Sequence, residues 1–248
     1  MSGTAEVLRP TTARERLVLA LDVGGLAEAE AVAVRVGEWF ATVKVGMELY
    51  AEAGPAAIDR MHELGFRVFL DLKLHDIPNT VERAARVHGR RGVEFLTLHA
   101  AGGEAMLRAG VEGLADGARR AGRPEPISLG VTVLTSESDT RAFPTRLAAA
   151  ARAGCGGVVC SAAEVGDVRA TYPHLATMVP GVRLPGDDVG DQVRVATPAA
   201  VVERGGDWLV IGRAVTAADD PEAAAARVAD SIRGVAGAIP RADGSGKP

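Results

Sequence analysis

The segment spanning residues 68–80 (VFLDLKLHDIPNT) places Asp71, Lys73 and Asp76 at D-x-K-x-x-D spacing. Residues two apart in a strand share a face, so Asp71 and Lys73 point one way while Leu70, Leu72 and Leu74 point the other. Pro78 stops the strand and leaves Asp76 on the turn beyond it. An acid and a lysine on one face of a buried strand are expensive unless paired, and charges retained at that cost are often functional. The segment is compatible with a structural ion pair capped by Asp76, with a site that stabilises charge and moves a proton, or with a carboxylate–magnesium site on Asp71 and Asp76.

The elements that must hold these groups are legible as an alternation. Apolar, β-branched runs occur at 17–21, 42–45, 68–72, 95–98, 127–133, 157–160, 177–179 and 208–211. Helix-periodic stretches lie between them, near 26–38, 55–64, 81–91, 104–120, 145–153, 162–171, 198–204 and 221–233. The strands are continuously hydrophobic, as parallel strands covered on both faces are. Eight strand-then-helix units predict an α/β chain folded as a (β/α)8 (TIM) barrel. An open doubly wound sheet is the alternative, but no G-x-G-x-x-G turn follows the first strand. One domain over residues 15–237 is expected, with loosely attached segments at 1–14 and 238–248.

In such a barrel, active groups collect where strands end. The strands end in or carry Asp22, Lys44, Asp71 with Lys73, His99, Thr135 with Ser136, Ser161, Pro180 with Gly181, and Gly212 with Arg213. Polar residues at nearly every C-terminal strand end are hard to explain by stability alone. His99 reads equally as a base or as a satisfied strand-end histidine. His62, His88 and His174 are assigned to the surface, and Cys155 and Cys160 to the buried apolar class. No His/Asp/Glu spacing matches a dedicated metal site.

A phosphate site is suggested late in the chain. After the last strand, Gly212 lets backbone approach an anion, and Arg213 offers a bidentate guanidinium. Upstream, Pro180-Gly181 and Arg183 precede a polar stretch that ends in Gln192. Loops after strands seven and eight of these barrels commonly bind phosphate.

Bulk properties exclude other classes. A net charge of −4 with mixed signs leaves no electrostatic footprint for nucleic acid. No apolar run approaches the roughly 18 residues that span a bilayer, and no hydrophobic secretory region is seen at the N-terminus. The cytoplasm is the expected compartment.

Taken in order, the motifs LALD (19–22), VKVG (43–46), DLKLHDIPNT (71–80), TVLTS (132–136), PGVR (180–183), GDQ (190–192) and IGR (211–213) are similar to those of bacterial-type orotidine 5′-phosphate decarboxylases. The resemblance covers roughly residues 16–233, with no departure at a position that family relies on. It implies decarboxylation of orotidine 5′-monophosphate to UMP without metal or cofactor. It implies an alternating network of Lys44, Asp71, Lys73 and Asp76, with Lys73 as proton donor to C6. Asp76 and Thr80 would come from the partner subunit of a homodimer. Asp22, Lys44 and Thr80 would hold the ribose, Thr135 and Ser136 would lie near the pyrimidine, and Arg183, Gln192, Gly212 and Arg213 would hold the phosphate. Two rival readings are a magnesium-dependent sugar-phosphate decarboxylase or aldolase of the same superfamily, and a barrel that binds a nucleotide or sugar phosphate without turnover. The first rival needs an acidic residue where Lys44 stands.

Overall fold

A computed structural model of the chain describes residues 7–184 and 196–235. Eight parallel strands form a closed barrel in sequential order: β1 (Leu17–Ala20), β2 (Thr42–Val45), β3 (Arg67–Leu74), β4 (Phe95–His99), β5 (Ile127–Val131), β6 (Gly157–Val159), β7 (Ala176–Val179) and β8 (Trp208–Ile211). Closure is made by β1 pairing with β8, Leu17 opposite Leu209 and Leu19 opposite Ile211. The (β/α)8 expectation is met.

Helices α1 (Ala13–Arg16), α2 (Leu26–Val36), α3 (Met47–Ala53), α4 (Pro55–Glu63), α5 (Pro78–Arg90), α6 (Gly103–Arg120), α7 (Phe143–Ala153), α8 (Val165–Thr171), α9 (Pro198–Glu203), α10 (Arg213–Thr216) and α11 (Pro221–Arg233) surround the barrel. α1, α3 and α10 are additions to the expected alternation. Alternate strand residues serve two cores. Leu17, Leu19, Val43, Val45, Val68, Leu70, Leu96, Leu98, Leu209 and Ile211 face the helices. Val18, Ala20, Phe69, Phe95, Leu129, Ala176, Met178, Trp208 and Val210 fill the barrel. Phe95 lies edge-on to Trp208 and Phe69, with ring centroids 4.9 and 6.0 Å apart. This packed floor fills the barrel interior below the strand C-termini.

Helix α5, which follows the D-x-K-x-x-D strand, is pressed against α6. A Cβ at Gly113 would stand 2.2 Å from the Glu82 carbonyl oxygen, and one at Gly117 2.1 Å from that of Arg86. Glycine is the residue that lets the two backbones approach this closely. His88, assigned to the surface from sequence, is in fact buried on the inner stripe of α5 with Val81, Ala85 and Gly89. It lies seven residues after Val81, two helical turns on, and therefore on the same face. Its ring meets Tyr50 edge-on, and burial holds its pKa down at about 4, with the nearby Arg91 charge adding to the shift. Cys155 and Cys160 are both buried, and burial pushes the Cys155 thiol up to about 12.

The segment ahead of β1 makes defined contacts. Thr12 and Glu15 form a reciprocal capping box on α1. Val7 packs against the interior cluster, and Arg9 bonds the Pro173 carbonyl.

Candidate active site

A cavity of about 530 Å³ opens at the C-terminal ends of the strands. Its floor is Ala20, Phe69, Met178 and Val210 from the barrel core. Its walls bring together Asp22, Lys44, Asp71, Lys73, Thr135, Arg183, Gly212 and Arg213, all candidates from sequence.

The charged groups form a chain of alternating sign. Lys44 Nζ donates to Asp22 Oδ1 at 2.7 Å and lies 3.9 Å from Asp71 Oδ2. Asp71 Oδ1 in turn accepts from Lys73 Nζ at 2.9 Å. Two acids and two ammonium groups on one wall neutralise one another and hold each in place. The Lys44 and Asp71 side chains are only 10% and 15% exposed, so these interactions are less screened than surface pairs. Gly46 is part of the arrangement, because a Cβ there would stand 2.8 Å from Asp22 Oδ1 and 2.9 Å from Lys44 Nζ.

The backbone of β3 does not keep strand geometry through the site. Lys73 has φ 50, the one positive value at a non-glycine among the described residues. Its pairing with β4 shifts register between Leu70 and Leu74. Thr97, on β4 and fully buried, stands opposite this irregularity. Its Oγ1 accepts from the Lys73 backbone N–H at 2.8 Å and donates to Asp71 Oδ1 at 3.1 Å. Sequence reading passed over Thr97, since a threonine in an apolar run is an ordinary strand former.

The loops after β7 and β8 complete the lining. Gly181 has φ 76, a conformation glycine adopts without strain, and it lines the cavity beside Pro180 and Arg183. Arg183 Nη1 donates to the Val182 carbonyl at 2.9 Å. Gly212 and Arg213 begin α10 and line the same cavity.

Other candidates lie elsewhere. Asp76 and Thr80 sit in an exposed run, His75 to Thr80, and do not line the cavity of their own chain. Asp76 Oδ1 accepts from the Ile77 N–H at 2.6 Å, and Ile77 is 66% exposed. Ser136 is exposed and does not reach the cavity wall. Gln192 lies outside the described residues. His99 is a strand-end cap whose Nδ1 accepts from the Ala101 N–H, with its ring stacked on His75 at 5.5 Å. Burial, with Arg146 and His75 nearby, lowers its pKa. Among the described residues no group of three or more His, Cys, Asp or Glu is placed to hold a metal ion. No helix among them is long and apolar enough to cross a membrane.

A closed β/α barrel with paired lysines and carboxylates in its mouth, and arginines after β7 and β8 lining the same cavity, places the chain among the β/α-barrel enzymes. The chain matches the model of the orotidine 5′-phosphate decarboxylase / HUMPS family over residues 15–228, and it belongs to that family. It is 44% identical over 234 residues to the orotidine 5′-phosphate decarboxylase of Moorella thermoacetica, covering 89% of this chain and 93% of that one. It is 47% identical over 231 residues to that of Anaeromyxobacter dehalogenans, covering 88% and 98%. The crystal structure of orotidine 5′-phosphate decarboxylase from Lactobacillus acidophilus superposes with a TM-score of 0.74 at 33% identity, covering 88% of this chain and 99% of that one.

Proposed function

We propose that the chain is a carboxy-lyase that converts orotidine 5′-monophosphate to UMP and CO2 in pyrimidine nucleotide synthesis. The observation that carries this reading is the alternating Asp22–Lys44–Asp71–Lys73 chain in a cavity that also has Arg183 and Arg213 on its wall.

When the C6–carboxylate bond breaks, its electron pair stays on C6 in an sp2 orbital that no neighbouring carbonyl can delocalise. The charge must be met electrostatically. In this reading the Lys73 ammonium faces C6, stabilises the developing carbanion and then transfers a proton to it, and solvent restores that proton. Two unit charges about 4 Å apart interact by roughly 4 kcal/mol at an effective dielectric near 20. Asp71, hydrogen-bonded to Lys73, holds the ammonium in place and faces the departing carboxylate. Asp22 and Lys44 hold the ribose hydroxyls, and Thr135 lies toward the pyrimidine. Arg183, Gln192, Gly212 and Arg213 hold the phosphate, whose binding energy serves a step remote from it.

The reading includes a homodimer in which Asp76 and Thr80 complete the partner's cavity. It is supported by their exposure on the turn into α5, beside exposed Ile77, and by their absence from their own cavity. The residues present require no cofactor for this chemistry. The magnesium-dependent rival is disfavoured because Lys44 Nζ lies between Asp22 and Asp71, where it would repel a divalent cation.

The test is conversion of orotidine 5′-monophosphate followed by ultraviolet absorbance, with and without EDTA. Rapid turnover indifferent to chelator is expected. Turnover abolished by EDTA and restored by magnesium would favour the rival, and binding of UMP with no turnover would favour a silent nucleotide binder.

A further inference from the structure

We propose that Thr97 is a positioning residue for this reaction, its hydroxyl fixing Lys73 and Asp71 together at the break in β3. The inference rests on the reading of Lys73 as proton donor.

The break creates the need. A four-residue step on β3, from Leu70 to Leu74, faces a two-residue step on β4, from Leu96 to Leu98. The residues between cannot all keep ladder partners, and Lys73 leaves the strand region altogether with φ 50. Non-glycine residues persist in that conformation only where their surroundings over-determine it. A backbone N–H exposed by such a break and removed from water is costly unless something accepts it. The Thr97 hydroxyl does so, at 2.8 Å.

The direction of the remaining bond then follows. The Lys73 N–H can only donate, so Thr97 Oγ1 accepts there and its own proton is available for Asp71. It reaches Asp71 Oδ1, the oxygen that also receives Lys73 Nζ. Backbone, hydroxyl, carboxylate and ammonium therefore close a ring around Lys73. Threonine suits the position because its β-branch restricts χ1 and the side chain is fully buried. A valine would keep the shape, orphan the N–H and free the carboxylate to rotate. Misplacement of a reacting group by about 1 Å can cost on the order of 100-fold in rate.

The experiment compares wild type with Thr97→Val, Thr97→Ser and Thr97→Cys by kcat, KM and thermal midpoint. Thr97→Val is expected to lower kcat by about 10- to 100-fold with KM changed little, while Thr97→Ser stays close to wild type. Thr97→Cys, a weak hydrogen-bonding substitute, is expected to fall with valine and serves if the valine variant does not fold. Wild-type kcat in Thr97→Val or Thr97→Cys would overturn the proposal, as would an equal loss in Thr97→Ser or a loss carried by KM. Failure of the wild-type chain to turn over orotidine 5′-monophosphate would instead remove the decarboxylase reading beneath it.

Discussion

Lys73 Nζ lies 2.9 Å from Asp71 Oδ1, and the two residues sit within the register break of β3. The pair is not the outcome of regular alternation, because Lys73 has left strand geometry. The Lys73 side chain lines the cavity mouth, is 26% exposed and shares its wall with Asp71 and Lys44. Replacing Lys73 by Ala is expected to lower turnover by at least the roughly 10²–10⁴-fold typical of a lost proton donor. The far-ultraviolet circular dichroism spectrum should stay unchanged. Activity near wild type in the folded variant would eliminate Lys73 as donor.

Arg213 lines the same cavity as the charged groups, at the start of α10. A charge-assisted hydrogen bond contributes about 1.5–3 kcal/mol. Arg213→Ala is therefore expected to reduce kcat/KM by roughly one to two orders of magnitude. The loss should be much smaller with a substrate lacking the phosphate. Equal losses with both substrates would discard the phosphate assignment.

Asp76 and Lys73 are only three residues apart, yet Lys73 lines the cavity and Asp76 does not. If Asp76 serves the partner's site, mixing inactive Lys73→Ala and Asp76→Ala chains produces heterodimers with one doubly depleted site and one intact site. Activity should rise from near zero toward about a quarter of wild type after random exchange, since half the dimers are hybrid and each has one good site of two. No recovery, with exchange shown by mass-tagged subunits, would place Asp76 outside a shared site.

The barrel was legible because its strands are short, apolar and β-branched and its helices periodic, and both patterns are set by burial. The first turn of α5 was harder. Pro78, Asn79 and Thr80 are exposed, so no apolar period marks them, and the helix reads from sequence as starting at Val81. The charged site residues stood out for the opposite reason, as polar groups at apolar strand ends. What could not be read was their coupling. Alternation presumes a regular strand, so the left-handed Lys73 and its hydroxyl partner Thr97 leave no one-dimensional signal. Gly46 was visible only as part of a motif, and its role depends on how close Asp22 and Lys44 come to its α-carbon.

The α5–α6 contact should be intolerant of a single methyl. At Gly113 the obstructing atoms belong to the Glu82 backbone and cannot rotate away. The higher helix propensity of alanine, about 1 kcal/mol, is opposed by overpacking of typically 1–3 kcal/mol, which backbone obstruction places at the upper end. The net of about 2 kcal/mol is expected to lower the thermal midpoint of Gly113→Ala by about 4–8 °C. Gly166→Ala in α8, where no neighbouring atom lies within 4 Å of the added methyl, should leave it unchanged or raise it. A neutral Gly113→Ala would show that the helices can separate at little cost.

His88 links stability to pH through the same helix. Its folded-state pKa is about 4, chiefly because burial disfavours the imidazolium, against an ordinary 6.5. Between those values the unfolded chain binds a proton that the folded chain does not, so stability rises with pH across that window. The contribution is complete above about pH 6.5 and is lost progressively as pH falls toward 4, amounting to roughly 3 kcal/mol at most. Urea midpoints of wild type should therefore fall from pH 7.5 to pH 5 by more than those of His88→Leu, which has no titrating group at this position. The ring of His88 rests on Tyr50, so the variant will start from lower stability at pH 7.5, and the comparison lies in the slopes. Parallel slopes would mean that His88 is protonated in the folded chain or solvated well enough to titrate normally.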